Sequence, residues 1–305
     1  MISFKNIKFN YGFICSTYKS YLSTNHSFRL KNLNKKNILN TVEKNLEDFI
    51  ELLKLSKKLN CGIFRLGSQF IPFASHPNFN KEWLKDIRKL INNYLEEIKK
   101  FNIRITMHPG QYTILSTENK SIVKRSLNEI KYHFWLLDEL GLDENSIVVI
   151  HLGGIYGDKE KTKKIFIKNI KINNWLKSRL AIENDEKCYH VKELIEIANE
   201  LSLPVVFDWF HHQLNHSVFS LIDLIETWGN RIPEMHISSG SKINRYGHAD
   251  YVNFKDFLNF LNFLSENSKS QKIKIDILFE AKKKELAIKR FINNWNKFRF
   301  LECAQ

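Results

Sequence analysis

Six residues of metal-binding type end six successive apolar runs of the chain. The runs are short and rich in β-branched residues, and the residues that end them are His108, His151, Glu183, Asp208, His236 and Glu280. Imidazole nitrogens and carboxylate oxygens together are typical ligands of Mn²⁺ or Zn²⁺. Since such groups packed together without cations would repel each other or stay unpaired, at a cost of several kcal/mol, the pattern predicts a metal site rather than six structural residues.

Two further histidines extend this candidate site. His211 lies three residues after Asp208, and His248 lies in the segment after His236. A single four-coordinate ion does not need so many ligands, so we predict two or three divalent ions with at least one bridging carboxylate. Such a cluster suits the hydrolysis of a phosphodiester, because one ion lowers the pKa of a bound water while the others stabilise the developing charge.

The eight β-branched runs of the chain alternate with eight helix-length segments that carry apolar stripes. Some runs are continuously apolar, as in a parallel sheet covered by helices. We therefore predict one α/β domain over 1–305, a single (β/α)8 TIM barrel whose strands end at one mouth. An open sheet would show a Gly-rich loop after its first strand, where this chain has Tyr11-Gly12-Phe13. The predicted strands cover residues 7–11, 62–66, 103–108, 146–151, 179–183, 204–208, 233–236 and 274–280.

The charge of the chain indicates a polyanionic partner. There are 47 Lys and Arg against 33 Asp and Glu, which gives a formal net charge of +14 and a pI of about 9.4. Nucleic acid is the commonest partner of such proteins, although a chain rich in Lys, Asn and Ile throughout can also owe its charge to biased composition. The sequence has no signal peptide, no apolar run of roughly 20 residues and no Cys-x-x-Cys pair, which predicts an intracellular protein without membrane contact.

Longer motifs surround the candidate ligands. They include His-Pro-Gly-Gln-Tyr at 108–112, His-Leu-Gly-Gly at 151–154, Asp-Trp-Phe-His-His at 208–212 and Phe-Glu-Ala-Lys at 279–282. Over most of the chain, these motifs resemble the UV damage endonuclease family, a TIM-barrel relative of endonuclease IV. The resemblance implies a manganese-dependent enzyme, with Zn²⁺ or Mg²⁺ as alternative ions. Such an enzyme nicks double-stranded DNA immediately 5′ to pyrimidine dimers and (6-4) photoproducts, and leaves 3′-hydroxyl and 5′-phosphate ends.

The resemblance also implies roles for single residues. The implied metal ligands are the same eight residues that were predicted from their positions along the chain. They are His108, His151, Glu183, Asp208, His211, His236, His248 and Glu280. Catalytic roles are implied for Glu183, for His76, and for Glu234, which stands where the family has a lysine with a carboxyl modification. Gln111 and Tyr112 are implied to probe the duplex beside the lesion, and Tyr11 to contact the lesion.

Three other functions are alternatives to this prediction. An abasic-site endonuclease of the endonuclease IV type would share the fold and the kind of metal site. A sugar isomerase-like barrel also uses divalent ions, but it predicts a neutral or acidic chain and a small closed pocket. A DNA-binding module with a structural metal would need only four ligands. We expect a monomer whose partner is damaged duplex DNA.

Overall fold

The computed structural model describes residues 1–303, in which eight parallel strands form a closed barrel. Each barrel strand pairs with the next one along the chain, and β9 pairs with β2 to close the ring. The strands are β1 (Ile2–Phe4), β2 (Ile7–Ile14), β3 (Ile63–Leu66), β4 (Arg104–Met107), β5 (Val148–His151), β6 (Leu180–Glu183), β7 (Val205–Asp208), β8 (Glu234–Ile237) and β9 (Ile273–Phe279). The predicted TIM barrel and its eight strands are confirmed.

Helices cover the outer face of the barrel. The apolar stripe of the first one buries Ile38, Val42 and Leu46, and each such side chain contributes about 1.5–3 kcal/mol. Asn34 caps this helix by accepting a hydrogen bond from the backbone N–H of Asn37. Over residues 1–303, no helix is both long and apolar enough to cross a bilayer. The helices are α1 (Lys35–Lys58), α2 (Trp83–Lys100), α3 (Lys120–Glu139), α4 (Lys159–Ile172), α5 (Val191–Leu201), α6 (Trp209–Leu214), α7 (Leu221–Glu226), α8 (Phe254–Asn267) and α9 (Glu285–Cys303).

Two short elements differ from the prediction. β1 pairs antiparallel with β2 outside the barrel, and its three residues are too few to show a period in the sequence. α6 begins directly after β7, because the side chain of Asp208 accepts a hydrogen bond from the backbone N–H of His211 at 2.7 Å and so caps the helix. Asp208 therefore ends a strand and starts a helix at the same time.

The strand register brings ligand-type residues to one end of the barrel. His151 of β5 lies opposite Glu183 of β6, and Asp208 of β7 lies opposite His236 of β8. Glu280 follows the last residue of β9. Because all eight barrel strands are parallel, these residues lie around the carboxyl-terminal mouth, where TIM barrels carry their active sites.

Candidate metal centre

Glu183 is the centre of the candidate site. It ends β6 inside the mouth, and its residue surface is 1% exposed. Its Oε2 lies 2.8 Å from His108 Nε2 and 3.5 Å from His151 Nε2. Its Oε1 lies 2.5 Å from His236 Nδ1. The two oxygens thus face different histidines, as in a carboxylate that bridges two cations.

Two groups of possible ligand atoms share this carboxylate. One group comprises His108, His151 and Glu183, the other comprises Glu183, Asp208 and His236, and within each group the atoms lie within 4.8 Å of one another. Ligand atoms lie about 2.0–2.3 Å from a transition-metal ion, so two atoms of one coordination sphere are at most about 4.6 Å apart. The two groups fit two cation positions on either side of Glu183.

In two of the histidines predicted as ligands, the ring nitrogen that faces away from the cluster contacts a backbone carbonyl oxygen. His108 Nδ1 lies 2.9 Å from the carbonyl oxygen of Pro109, and His211 Nδ1 lies 2.9 Å from the carbonyl oxygen of Asn184. Metal-binding histidines usually donate their second N–H to such a group, which fixes the tautomer and directs the other nitrogen at the ion. Both rings are therefore oriented to present Nε2 as a ligand.

Asp208 has a buried oxygen that fits a cation. While its Oδ1 caps α6, its Oδ2 is buried and has no hydrogen-bond partner among the described residues. A buried acceptor without a partner costs about 1–3 kcal/mol, and a bound cation would remove this cost. Burial also raises the pKa of the Asp208 carboxyl. The donor set and this unpaired oxygen fit divalent metal.

Glu280 and His248 extend the cluster on the β9 side. Glu280 Oε2 lies 3.6 Å from His248 Nδ1, and its Oε1 lies 3.6 Å from His236 Nδ1. The His211 ring centroid lies 6.2 Å from that of His248 and 5.7 Å from that of His151. All eight predicted ligands therefore surround one mouth, and their binding of metal stays a prediction.

The comparison with known families identifies the chain. The model of the family described as UV-endonuclease UvdE matches residues 14–304. The chain belongs to this family. A UV DNA damage endonuclease of Clostridium perfringens is 31% identical over 293 residues, which cover 93% of this chain and 70% of that protein. A UV DNA damage endonuclease of Bacillus cereus is 30% identical, with coverages of 93% and 91%.

Solved structures agree with this membership of the UvdE family. The crystal structure of SacUVDE is 29% identical and superposes with a TM-score of 0.84, covering 95% of this chain and 99% of the other. Endonuclease IV from Thermus thermophilus is 16% identical, with a TM-score of 0.56 and coverages of 94% and 99%. The latter likeness shows the fold alone. The family expected from the motifs is confirmed.

Arg65 is a buried cation of this UvdE-family protein that the sequence analysis missed. Its Nη1 pairs with Glu280 Oε1, and its Nη2 lies 2.6 Å from His236 Nε2 and 3.9 Å from Glu234 Oε1. Burial alone would lower the pKa of Arg65, but Glu280 and Glu234 raise it. The available signal was a charged residue inside the apolar run of β3. Arg65 therefore neutralises part of the acidic cluster.

Glu234 lies below His236 rather than at the mouth. It is the first residue of β8 and is buried, and its Oε1 lies 3.0 Å from His236 Nε2 and 3.3 Å from Thr106 Oγ1. Its Oε2 lies 3.6 Å from Arg104 Nη2. A carboxylate at this depth holds the imidazole in place from behind. Glu234 therefore contacts the candidate site through His236, and its catalytic role stays a prediction.

Tyr11 does not contact the mouth, so its predicted role in lesion contact is wrong. Its hydroxyl donates to the carbonyl oxygen of Leu59 at 2.9 Å, and its ring packs against Phe291 with centroids 5.1 Å apart. Successive strand residues point to opposite faces of a sheet, and Tyr11 points outward toward α1 and α9. With only 4% of its surface exposed, it is a packing residue of the outer layer.

The loop after β4 carries the other two predicted lesion contacts. Gln111 and Tyr112 are exposed, and 82% of the Tyr112 surface is accessible. With His108, His151 and Lys187, they line a cavity of about 400 Å³. Both residues thus lie beside the candidate ligands.

His76 lies on the turn after β3. Its Nδ1 accepts a hydrogen bond from the backbone N–H of Asn78 at 3.1 Å, and its ring lies 6.3 Å from that of Phe73. Both contacts lie within its own turn. Its catalytic role stays a prediction.

The carboxylates of the cluster raise the pKa of two histidines. Burial alone would lower the pKa of His236, but Glu183 raises it to about 10. Burial alone would also lower the pKa of His211, but Asp208 raises it to about 9. In the metal-free protein, both imidazoles are therefore protonated at neutral pH.

We expect the metal-free protein to lose stability as the pH rises from 7 to 9. The unfolded chain releases these protons near pH 6.5, whereas the folded chain keeps them up to about pH 9 for His211 and about pH 10 for His236. The stabilisation is complete below pH 6.5 and declines by up to about 1.4 kcal/mol per pH unit and proton. Urea unfolding in EDTA at pH 7, 8 and 9 measures the free energy of unfolding. In the His236→Gln variant, this free energy should depend less on pH. A free energy of unfolding that does not change over this range contradicts the expectation.

Proposed function

We propose that this protein is a metal-dependent DNA repair endonuclease that nicks immediately 5′ to UV lesions. The lesions are cyclobutane pyrimidine dimers and (6-4) photoproducts, and the products carry 3′-hydroxyl and 5′-phosphate ends. The observation that carries the proposal is the pair of ligand groups that share Glu183, in a chain of the UV-endonuclease UvdE family. The proposed substrate is double-stranded DNA, on which the protein acts as an intracellular monomer.

The proposed cofactor is two or three divalent ions, with Mn²⁺ preferred over Zn²⁺ or Mg²⁺. Bound ions of this kind supply a water of low pKa and stabilise charge on the phosphate. The proposed ligands are the eight residues at the mouth: His108, His151, Glu183, Asp208, His211, His236, His248 and Glu280. Within this set, Glu183 serves two positions at once, since its two oxygens face different histidines.

Other residues of the chain hold and present this centre. Glu234 keeps His236 Nδ1 directed at Glu183 by its contact with Nε2. Gln111 and Tyr112 stand beside the ligands on an exposed loop, where a planar amide and a phenol can enter an unstacked duplex. A dimer is easier to extrude than normal bases because its stacking and pairing are already weakened. His76 is proposed as a further active-site histidine.

Two labelled duplexes test the proposal, one with a thymine dimer and one with an abasic analogue. We expect the metal-free protein to cut neither, and the protein with Mn²⁺ to nick directly 5′ of the dimer. Mass spectrometry of the fragments identifies the ends, and parallel reactions with Zn²⁺ and Mg²⁺ rank the metals. Cutting of the abasic strand with an intact dimer strand would favour an activity of the endonuclease IV type. Cutting that persists in EDTA would refute metal dependence.

Removing both probe side chains should reduce selectivity for damage. We expect Gln111→Ala/Tyr112→Ala to lower the ratio of affinities for dimer and undamaged duplex about tenfold, because stacking contacts with unpaired bases are lost. Affinity for undamaged duplex should change little. Gel-shift titrations measure both affinities, and Phe300→Ala removes an exposed aromatic near the end of α9 as a control. Unchanged discrimination in the double variant would exclude the wedge role.

A further inference from the structure

Exposed apolar side chains concentrate on the loops that surround the mouth. Single exposed apolar residues are ordinary on protein surfaces, but a concentration at one face marks an interaction site. The loops after β2, β4, β5 and β8 all contribute to this group. Its members include Tyr21, Tyr112, Ile155, Tyr156, Ile243 and Tyr246. The face that holds the candidate metal centre is therefore also the face that presents large side chains to a partner.

Ile243 is the most exposed of these residues, at 97%. It lies at the tip of a hairpin-like loop between β8 and α8, in which Gly240 pairs antiparallel with His248. Backbone hydrogen bonds join Ser241 N–H to the Gly247 oxygen at 2.7 Å and Gly247 N–H to the Asn244 oxygen at 2.9 Å. The tip is thus a folded turn, and its base is the predicted ligand His248.

Basic residues flank this tip. Lys242 and Arg245 lie on either side of Ile243 along the chain. Lys187 Nζ lies 4.2 Å and the Arg245 guanidinium 5.7 Å from the centre of the Tyr246 ring. An apolar residue between cations is complementary to a duplex, whose phosphates attract the cations while its opened base step accepts the apolar group.

Lys187 connects this loop to the loop of the proposed lesion probes. Lys187, which contacts Tyr246, lines the cavity of about 400 Å³ together with Gln111 and Tyr112. β4 and β8 lie on opposite sides of the closed barrel, so the β4–α3 and β8–α8 loops flank the predicted ligands from two sides.

We propose that Ile243 is a second wedge, which inserts into the damaged duplex from the β8–α8 side while Gln111 and Tyr112 enter from the β4–α3 side. The inference rests on the proposed function and extends it, because it adds a residue that selects damage. The insertion of an apolar side chain offsets the loss of base stacking, which is small at a lesion and larger in undamaged DNA. Because Gly240 pairs with His248, the loop that carries the wedge has a predicted metal ligand at its base.

Gel-shift titrations with Ile243→Ala test the wedge. We expect about tenfold weaker binding to a dimer duplex, and a much smaller loss when the bases opposite the dimer are mismatched, since that duplex is already open. Ile243→Leu should bind like the wild type. Ile172→Ala removes another exposed isoleucine, at the end of α4 away from the mouth, and should leave both affinities unchanged. Fluorescence of 2-aminopurine beside the dimer should report less unstacking in Ile243→Ala.

The outcomes separate the wedge from the proposed function. If the wild type prefers the dimer duplex and the Ile243→Ala variant equals it in affinity and fluorescence, the wedge role of Ile243 alone is contradicted. An equal loss on closed and mismatched duplexes also overturns it, because Ile243 would then be a general contact. A wild type without preference for the dimer duplex overturns the proposed function, and the wedge with it.

Discussion

Replacing Glu183 by glutamine is expected to reduce the rate of DNA cutting about 1,000-fold, the upper range for the loss of one group that stabilises the transition-state charge. An amide has the shape of a carboxylate, but it offers one neutral oxygen and an NH₂ group that repels cations. Both Glu183 oxygens face histidines, Oε1 at 2.5 Å from His236 and Oε2 at 2.8 Å from His108, so the substitution disturbs both candidate ion positions.

Single-turnover cutting of the dimer duplex and metal content per protein chain measure this effect. The control is Glu160→Gln in the first turn of α4, which removes an exposed carboxylate outside the predicted ligand set and should behave like the wild type. We expect Glu183→Gln to lose at least one ion together with its activity. Normal turnover with full metal content would show that Glu183 is not a bridge.

The sequence was sufficient to predict that the candidate ligand residues lie around one mouth. A parallel barrel brings the carboxyl ends of its strands together, so residues such as His108 and Glu280 become neighbours once the strands are recognised. These strands could be recognised in the sequence because β5 and β7 are buried on both faces, so their apolar runs are continuous. Pattern alone thus predicted the fold, which is confirmed, and the candidate metal site, which stays a prediction.

Contacts below and outside the mouth could not be predicted in the same way. The depth of Glu234, one layer below His236, depends on the stagger of β8 against its neighbours. The outward direction of Tyr11 depends on which face of β2 meets the helices, and both faces of that strand carry large or buried residues. Side-chain orientations of this kind are decided by closure of the whole barrel.

Arg65 illustrates a further limit, because its importance comes from charges that are distant in sequence. Glu183, Asp208, Glu234 and Glu280 are all buried at or below the mouth. Arg65 lies among them, with its side chain 6% exposed and a direct pair to Glu280. Carboxylates that attract metal need partial compensation when the metal is absent, since a buried charge without a partner destabilises a fold. We infer that this arginine allows the metal-free chain to fold.

Arg65→Met should therefore lower the free energy of unfolding of the metal-free protein by about 3–5 kcal/mol, the usual cost of removing one partner of a buried ion pair. Methionine fills much of the same volume, so the loss reports charge rather than a cavity. Mn²⁺ should recover part of the loss, because cations at the mouth then compensate Glu280 and its neighbours. Urea unfolding in EDTA and in Mn²⁺ measures both values. Arg88→Met, which breaks the exposed pair with Glu139, should change neither. An equal loss with and without Mn²⁺ would mean that Arg65 serves packing and not the charge balance of the candidate metal centre.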